Sequence, residues 1–156
     1  MKRSLFLLLA IVLLFGSIAD CETPVLNITP NCKVVQAGRL AEFSLHMPRT
    51  YVKRNPYYVI GAAFDVAPPI TPWGIAVPLA NDEMLRASLT YANTWIFQNT
   101  FGIITKQKTS FAIQTIRHPA LFGMKIYLSA LAYDGCAFYV AAPSSLRILP
   151  HRRPQD

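Results

Sequence analysis

The chain has 156 residues, 53% of them apolar and 15% charged, with 15 basic against 8 acidic side chains and a formal net charge of +7. That length supplies one domain with a proper core. Three cysteines are too few for a disulfide-built scaffold, and their spacing fits no zinc pattern. The basic excess favours anionic surfaces such as polysaccharide, lipid headgroups or acidic proteins. Without a recognisable binding motif, nucleic acid is not an expected partner.

The N-terminus reads as a secretory leader. Met1-Lys2-Arg3 is a short positive region, Leu5 to Phe15 is an apolar run, and Ser17 and Ala19 are small residues at the positions before a cut. Cleavage after Ala19 is expected, giving a signal peptide over 1–19, a domain over 20–150 and a disordered tail over 151–156. The apolar run is too short to span a bilayer core of roughly 30 Å, so no membrane span is expected once the leader is removed. Cys21 raises the question of a lipid anchor, but Asp20 before it is neither small nor uncharged. Loss of Lys2 and Arg3 leaves 13 basic against 8 acidic residues over 20–156, about +5. In an exported chain one disulfide is expected among Cys21, Cys32 and Cys136, and the pairing stays open.

Val25 to Ile28 reads as a short leading strand. In "LAEFSLHM", Ala41, Phe43, Leu45 and Met47 alternate with Glu42, Ser44 and His46, the period of a half-buried strand. Tyr57 to Phe64 is apolar nearly throughout and predicts a central strand. Residues 81–97 fit two patterns. As a strand, Leu85, Ala87, Leu89 and Tyr91 point inward; as a helix capped by Asn81 or Asp82, Leu85, Leu89, Ala92 and Ile96 share a face. The neighbouring elements favour the strand. Ser110 to Ile116 and Ser144 to Leu149 read as strands, as does Met124 to Tyr133, where Met124, Ile126, Leu128, Ala130 and Ala132 share the buried face. Before it, "HPALFG" predicts one helical turn opened by Pro119 and closed by Gly123, and Asp134-Gly135 predicts the turn after it. Twelve scattered prolines leave little room for long helices. The expected fold is all-β, an antiparallel β-sandwich of seven or eight strands with Ig-like architecture.

The order of these elements resembles a β-sandwich module of secreted proteins from environmental bacteria, often C-terminal in larger extracellular chains. The matching residues are Pro78, Leu79 and Asp82 of a Pro-Leu-x-x-Asp step, Ser88-Leu89, and Phe97 or Phe101 with Gly102. Pro119, Leu121 and Gly123 follow as a lead-in to a long strand, and Ser144-Ser145 stand where the family often has Ser-Asn. The Asp-x-x-Gly turn usual after the aromatic-Gly step is replaced by Thr105 to Ser110. The resemblance spans roughly residues 24–150. It implies an exported, non-enzymatic module with no catalytic residues to carry over.

The side chains themselves give little sign of a reaction centre. His46, His118 and His151 have no metal-site spacing, and His118 before Pro119 reads as a turn residue. No nucleophile elbow or phosphate loop is present, and no Asp-x-Asp loop supports calcium. Asp65 and Asp134, both at predicted strand ends, are the one carboxylate pair that a secreted hydrolase would use; capping of turns explains them as well. No enzyme activity, cofactor or metal is expected. The speculative ligand-binding residues are Arg49, Tyr51, Lys53, Arg54 and Tyr57 in the basic, aromatic loop 48–58, where cations would take the charge of an anionic polysaccharide and rings would stack on sugar faces. Trp73, Trp95 and Tyr91 are candidates for a second platform, unless Trp73 plugs the end of the sandwich. The leading expectation is a secreted structural or interaction module whose ligand the residues do not name; anionic polysaccharide and another surface protein are the candidate partners, and a glycan-binding module using loop 48–58 is the alternative.

Overall fold

The computed structural model describes residues 26–150; the leader, Cys21 and the tail at 151–156 lie outside the described residues. In chain order the strands are β1 (Asn27–Pro30), β2 (Val34–Gln36), β3 (Leu40–His46), β4 (Tyr57–Ala63), β5 (Phe97–Gln98), β6 (Phe101–Ile103), β7 (Lys108–Gln114), β8 (Lys125–Tyr133), β9 (Phe138–Val140) and β10 (Ser144–Leu149). Two short helices, α1 (Arg49–Val52) and α2 (Glu83–Thr90), interrupt them. The strands form a smaller sheet, β1-β3-β7-β5, and a larger one, β2-β10-β8-β4-β6, to which β9 adds along β8. The fold is all-β and sandwich-like. Every strand pair is antiparallel except the edge strand β2, which runs parallel to β10 and so departs from the expected topology.

The alternating side chains meet between the sheets. Ala41, Phe43 and Leu45 of β3 and Ile126, Leu128, Ala130 and Ala132 of β8 are all buried in one core with Ile60, Leu146 and Ile148. Phe43 stacks on Phe111 of β7 at 5.0 Å between ring centroids. Each of the larger side chains (Phe, Leu, Ile) contributes about 1.5–3 kcal/mol by leaving water, so period two is what the packing rewards. The turn before β8 also forms as read. Pro119–Leu121 is a 3-10 turn, His118 accepts the Ala120 N–H at 3.3 Å, and Gly123 has φ 82°. His118 is thus a turn cap. The segment after β6 crosses to the other sheet as β7, so Thr105 to Ser110 makes no hairpin between them.

Residues 81–97 correct the sequence reading. The strand expected there is the helix α2, N-capped by Asp82, whose Oδ1 accepts the Leu85 N–H at 2.8 Å. Leu89 and Tyr91, inward in the strand reading, are exposed, while Leu85 and Ser88 are buried. The reason lies in β4. Only Tyr57 to Val59 pair with β6, which leaves the next N–H groups on that edge without a strand partner. The Thr100 carbonyl accepts from Ile60 at 2.8 Å, Ser88 Oγ from Ala62 at 3.0 Å and Asp82 Oδ2 from Phe64 at 2.7 Å. A helix laid along the open edge satisfies donors that would otherwise be orphaned or available to another chain. Leu79 and Leu85 then cover the outer face of the larger sheet, forming a small second core with Ala63, Val77 and Leu131. A Cβ on Gly61 would lie 2.8 Å from Leu85 Cδ1 and 2.9 Å from Leu79 Cδ1, so any larger residue there would require both leucine side chains to shift.

Cys32 and Cys136 are both exposed and free, so they do not form the disulfide between them. Among the described residues no helix is long and apolar enough to cross a membrane.

Candidate functional site

The loop 48–58 is more ordered than its composition predicts. Pro48 opens α1, whose first turn is closed by Tyr51 N–H and Val52 N–H donating to the Pro48 carbonyl. Val52 is buried and anchors the turn, and Asn55 at φ 49° reverses the chain into Pro56 and β4. Two of the five proposed ligand residues are engaged by the fold. Tyr51 packs edge-on against Tyr139 at 5.0 Å. Arg54 Nη1 lies 2.9 Å from Asp134 Oδ2, which is the single ion pair among the described residues. Arg49, Lys53 and Tyr57 are exposed.

Asp134 is the hub of this end of the molecule. Its side chain has 0% exposure and accepts from four donors: Arg54 Nη1, Tyr139 Oη at 2.8 Å, Cys136 N–H at 2.9 Å and Ala137 N–H at 2.8 Å. Burial pushes its pKa up, but the two backbone N–H groups, the Tyr139 hydroxyl and Arg54 outweigh it and hold the carboxyl below its ordinary value. Burial, reinforced by donation to Asp134, pushes the Tyr139 phenol up to about 12. The carboxylate therefore ties the β8–β9 turn to the segment entering β4.

Asp65 is elsewhere. In the register of β4 with β8, Tyr57 faces Tyr133 and Ala63 faces Tyr127, so Asp134 follows the end of β8 that lies beside the start of β4. Asp65 follows the far end of β4, where its Oδ1 accepts from Val66 N–H at 2.6 Å. Six residues of strand, about 20 Å, separate the two ends. The carboxylate pair of the hydrolase reading does not assemble. His46 faces outward on β3 opposite Lys108 and Asn27, and His151 lies outside the described residues. Among the described residues no group of three His, Cys, Asp or Glu is placed to hold a metal ion.

What the structure brings together is a row of rings that the sequence scatters. Tyr58, Ile60 and Ala62 enter the core, which puts Tyr57 on the outer face of the larger sheet. Tyr57 pairs with Ile103 of β6 on one side and Tyr133 of β8 on the other, and Tyr133 pairs in turn with Phe138 of β9. Directly opposed residues share a face, so these four side chains form one line across four strands. Tyr133 and Phe138 lie 4.5 Å apart, and Trp73 stacks on Phe138 at 5.9 Å and 14°. Trp73 therefore plugs nothing: it is 48% exposed, Tyr57 54% and Ile103 45%. Its backbone is held at φ 53°, a left-handed conformation uncommon for a bulky side chain. Three strand spacings of about 4.8 Å plus the Trp73–Phe138 step give a row of about 20 Å. Tyr91 and Trp95 are exposed at the far side of α2 in sequence and take no ring partner from this row.

A hollow of about 280 Å³ lies on the smaller sheet, lined by Asn31, Glu42, Gln98, Asn99 and Ser110 among others, and shares no residue with the row. The chain matches no protein-family model and none of the curated proteins with which it was compared.

Proposed function

We propose that this chain is an exported, non-enzymatic module of Ig-like architecture, akin to those of secreted proteins from environmental bacteria, and that it acts through a surface outside the cytoplasm. The observation that carries this reading is the state of Asp134. A carboxylate with no exposure and four donors within 2.9 Å has its lone pairs committed to the fold, and proton transfer would require dismantling them. Asp65 caps its own turn at the other end of β4. With the carboxylates used structurally, the unspent chemistry is on the outside, in exposed rings and unpaired cations. This supports binding, and the glycan reading above the hydrolase.

The test is production of the full chain in a bacterium with a general export pathway, followed by intact-mass analysis. The expected product outside the cytoplasm has lost residues 1–19 and carries no lipid on Cys21. Recovery of the full 156-residue mass in the cytoplasm would overturn export. Turnover of chromogenic glycosides by the purified chain, abolished by D65N or D134N, would overturn the non-enzymatic reading.

A further inference from the structure

We propose that the row Ile103–Tyr57–Tyr133–Phe138–Trp73 is a binding platform for an acidic polysaccharide, a chain of sugar rings bearing carboxylates. The inference rests on the module being an exported binding protein, and it adds the site and the ligand class. Outer faces of sandwich sheets are ordinarily polar; this one places four apolar or aromatic side chains in consecutive cross-strand positions, and Trp73 stacks on the last of them. Three of the five leave about half their surface in water. Aromatic side chains cover roughly 150–250 Å² each, so the row exposes on the order of 400 Å². A stable protein–protein contact needs about 800 Å² per partner, which the row by itself does not reach. A line of rings about 20 Å long and one side chain wide suits an extended polymer, whose pyranose C–H faces pack on aromatic rings.

The charge around the row selects the polymer. Lys53 and Arg54 immediately precede Asn55, Pro56 and Tyr57, and Arg54 is held at this end of β8 by its ion pair with Asp134, the residue after Tyr133. Of the five acids among the described residues, Asp134 is buried, Asp65, Asp82 and Glu83 follow the far end of β4, and Glu42 is on the smaller sheet. Arg54 and Asp134 balance one another, so Lys53 supplies the net positive charge beside Tyr57, and among the described residues no exposed carboxylate lies in this loop or in the β8–β9 turn to repel an anionic chain. The backbone at Trp73, held at φ 53°, fits the same role, since it sets the half-exposed indole against Phe138 at the end of the row.

The chain has two tryptophans, Trp73 and Trp95, and this makes a direct test available. In W95F the remaining fluorescence reports the row. Titration of the exported W95F protein with polygalacturonate is expected to shift and quench that signal. Electrophoresis of the unmodified chain through gels containing polygalacturonate should show retardation that neutral dextran does not cause and that added salt weakens. W73A and Y57A, both at exposed positions, should weaken retardation about tenfold each while leaving the thermal midpoint near that of the parent. K53A should reduce retardation by the acidic polymer alone. Unchanged fluorescence, or retardation indifferent to W73A and Y57A, would overturn the proposal. So would a solution mass of twice the monomer that W73A halves, which would make the row a self-association face. None of these outcomes alters the mass analysis that tests export.

Discussion

Replacing Asp134 by alanine removes the acceptor of four hydrogen bonds at once. The consequences differ by donor. Arg54 is exposed and regains water, and the Cys136 amide lies in an exposed turn and does the same. Tyr139 is buried, so its hydroxyl is left without a partner, at a cost of roughly 1–3 kcal/mol. The lost charge-assisted bonds from Tyr139 and the Ala137 amide contribute a comparable amount, each about 1.5–3 kcal/mol before the compensating return of water to the cavity. We expect D134A to lose about 3 kcal/mol, a shift of about 1–2 M in the urea midpoint. D134N keeps an acceptor for the turn amides and should fall between D134A and the parent. The measurement is urea unfolding followed by far-ultraviolet circular dichroism. A midpoint for D134A within about 0.3 M of the parent would refute the assignment of Asp134 as the structural hub.

The same carboxylate predicts a pH dependence. Its folded pKa is lowered from the ordinary 3.8, so it contributes stability that is complete above that value. That contribution is lost as pH falls through the lower folded value. The gap in stability between parent and D134N should be constant above about pH 5 and close below 3.8, and a gap that widened in acid would contradict the sign.

Ser88→Ala strands the Ala62 N–H on the edge of β4, with an expected loss of about 1–3 kcal/mol and faster hydrogen exchange at Ala62; exchange equal to the parent's would show that Ser88 is not its acceptor. Gly61→Ala drives a methyl into the ends of Leu79 and Leu85, which must both shift to admit it, with an expected loss of about 1 kcal/mol in urea unfolding. A gain in stability would mean that the two leucines do not crowd Gly61.

The local pattern was enough to find most strands. Alternation along 40–47 and 124–133 assigned the core faces of β3 and, from Ile126 on, of β8, because a strand with one face in a core repeats every second position; Met124 lies before β8 and is partly buried, and Ser44, Ser129 and Leu131 are buried on the opposite faces. Pro119, Gly123 and Asp134-Gly135 fixed the turns for reasons of backbone geometry that belong to each residue alone. The basic loop is visible as composition, but the engagement of Tyr51 and Arg54 is not: Arg54 and Asp134, for one, are 80 residues apart, and nothing near either announces the other.

Chain order by itself determined the compositional class of this protein, its exportable leader as an expectation and the alternation that builds its sheets, all of which are properties of neighbouring residues. Tertiary structure decided the rest. Residues 81–90 carried a pattern compatible with either element, and became a helix because the short β6 leaves N–H groups of β4 open to Asp82 and Ser88. The ring row likewise exists only through the fold: strand register sets Ile103, Tyr57, Tyr133 and Phe138 on one face, and the turn at Pro72–Gly74 brings Trp73 onto Phe138.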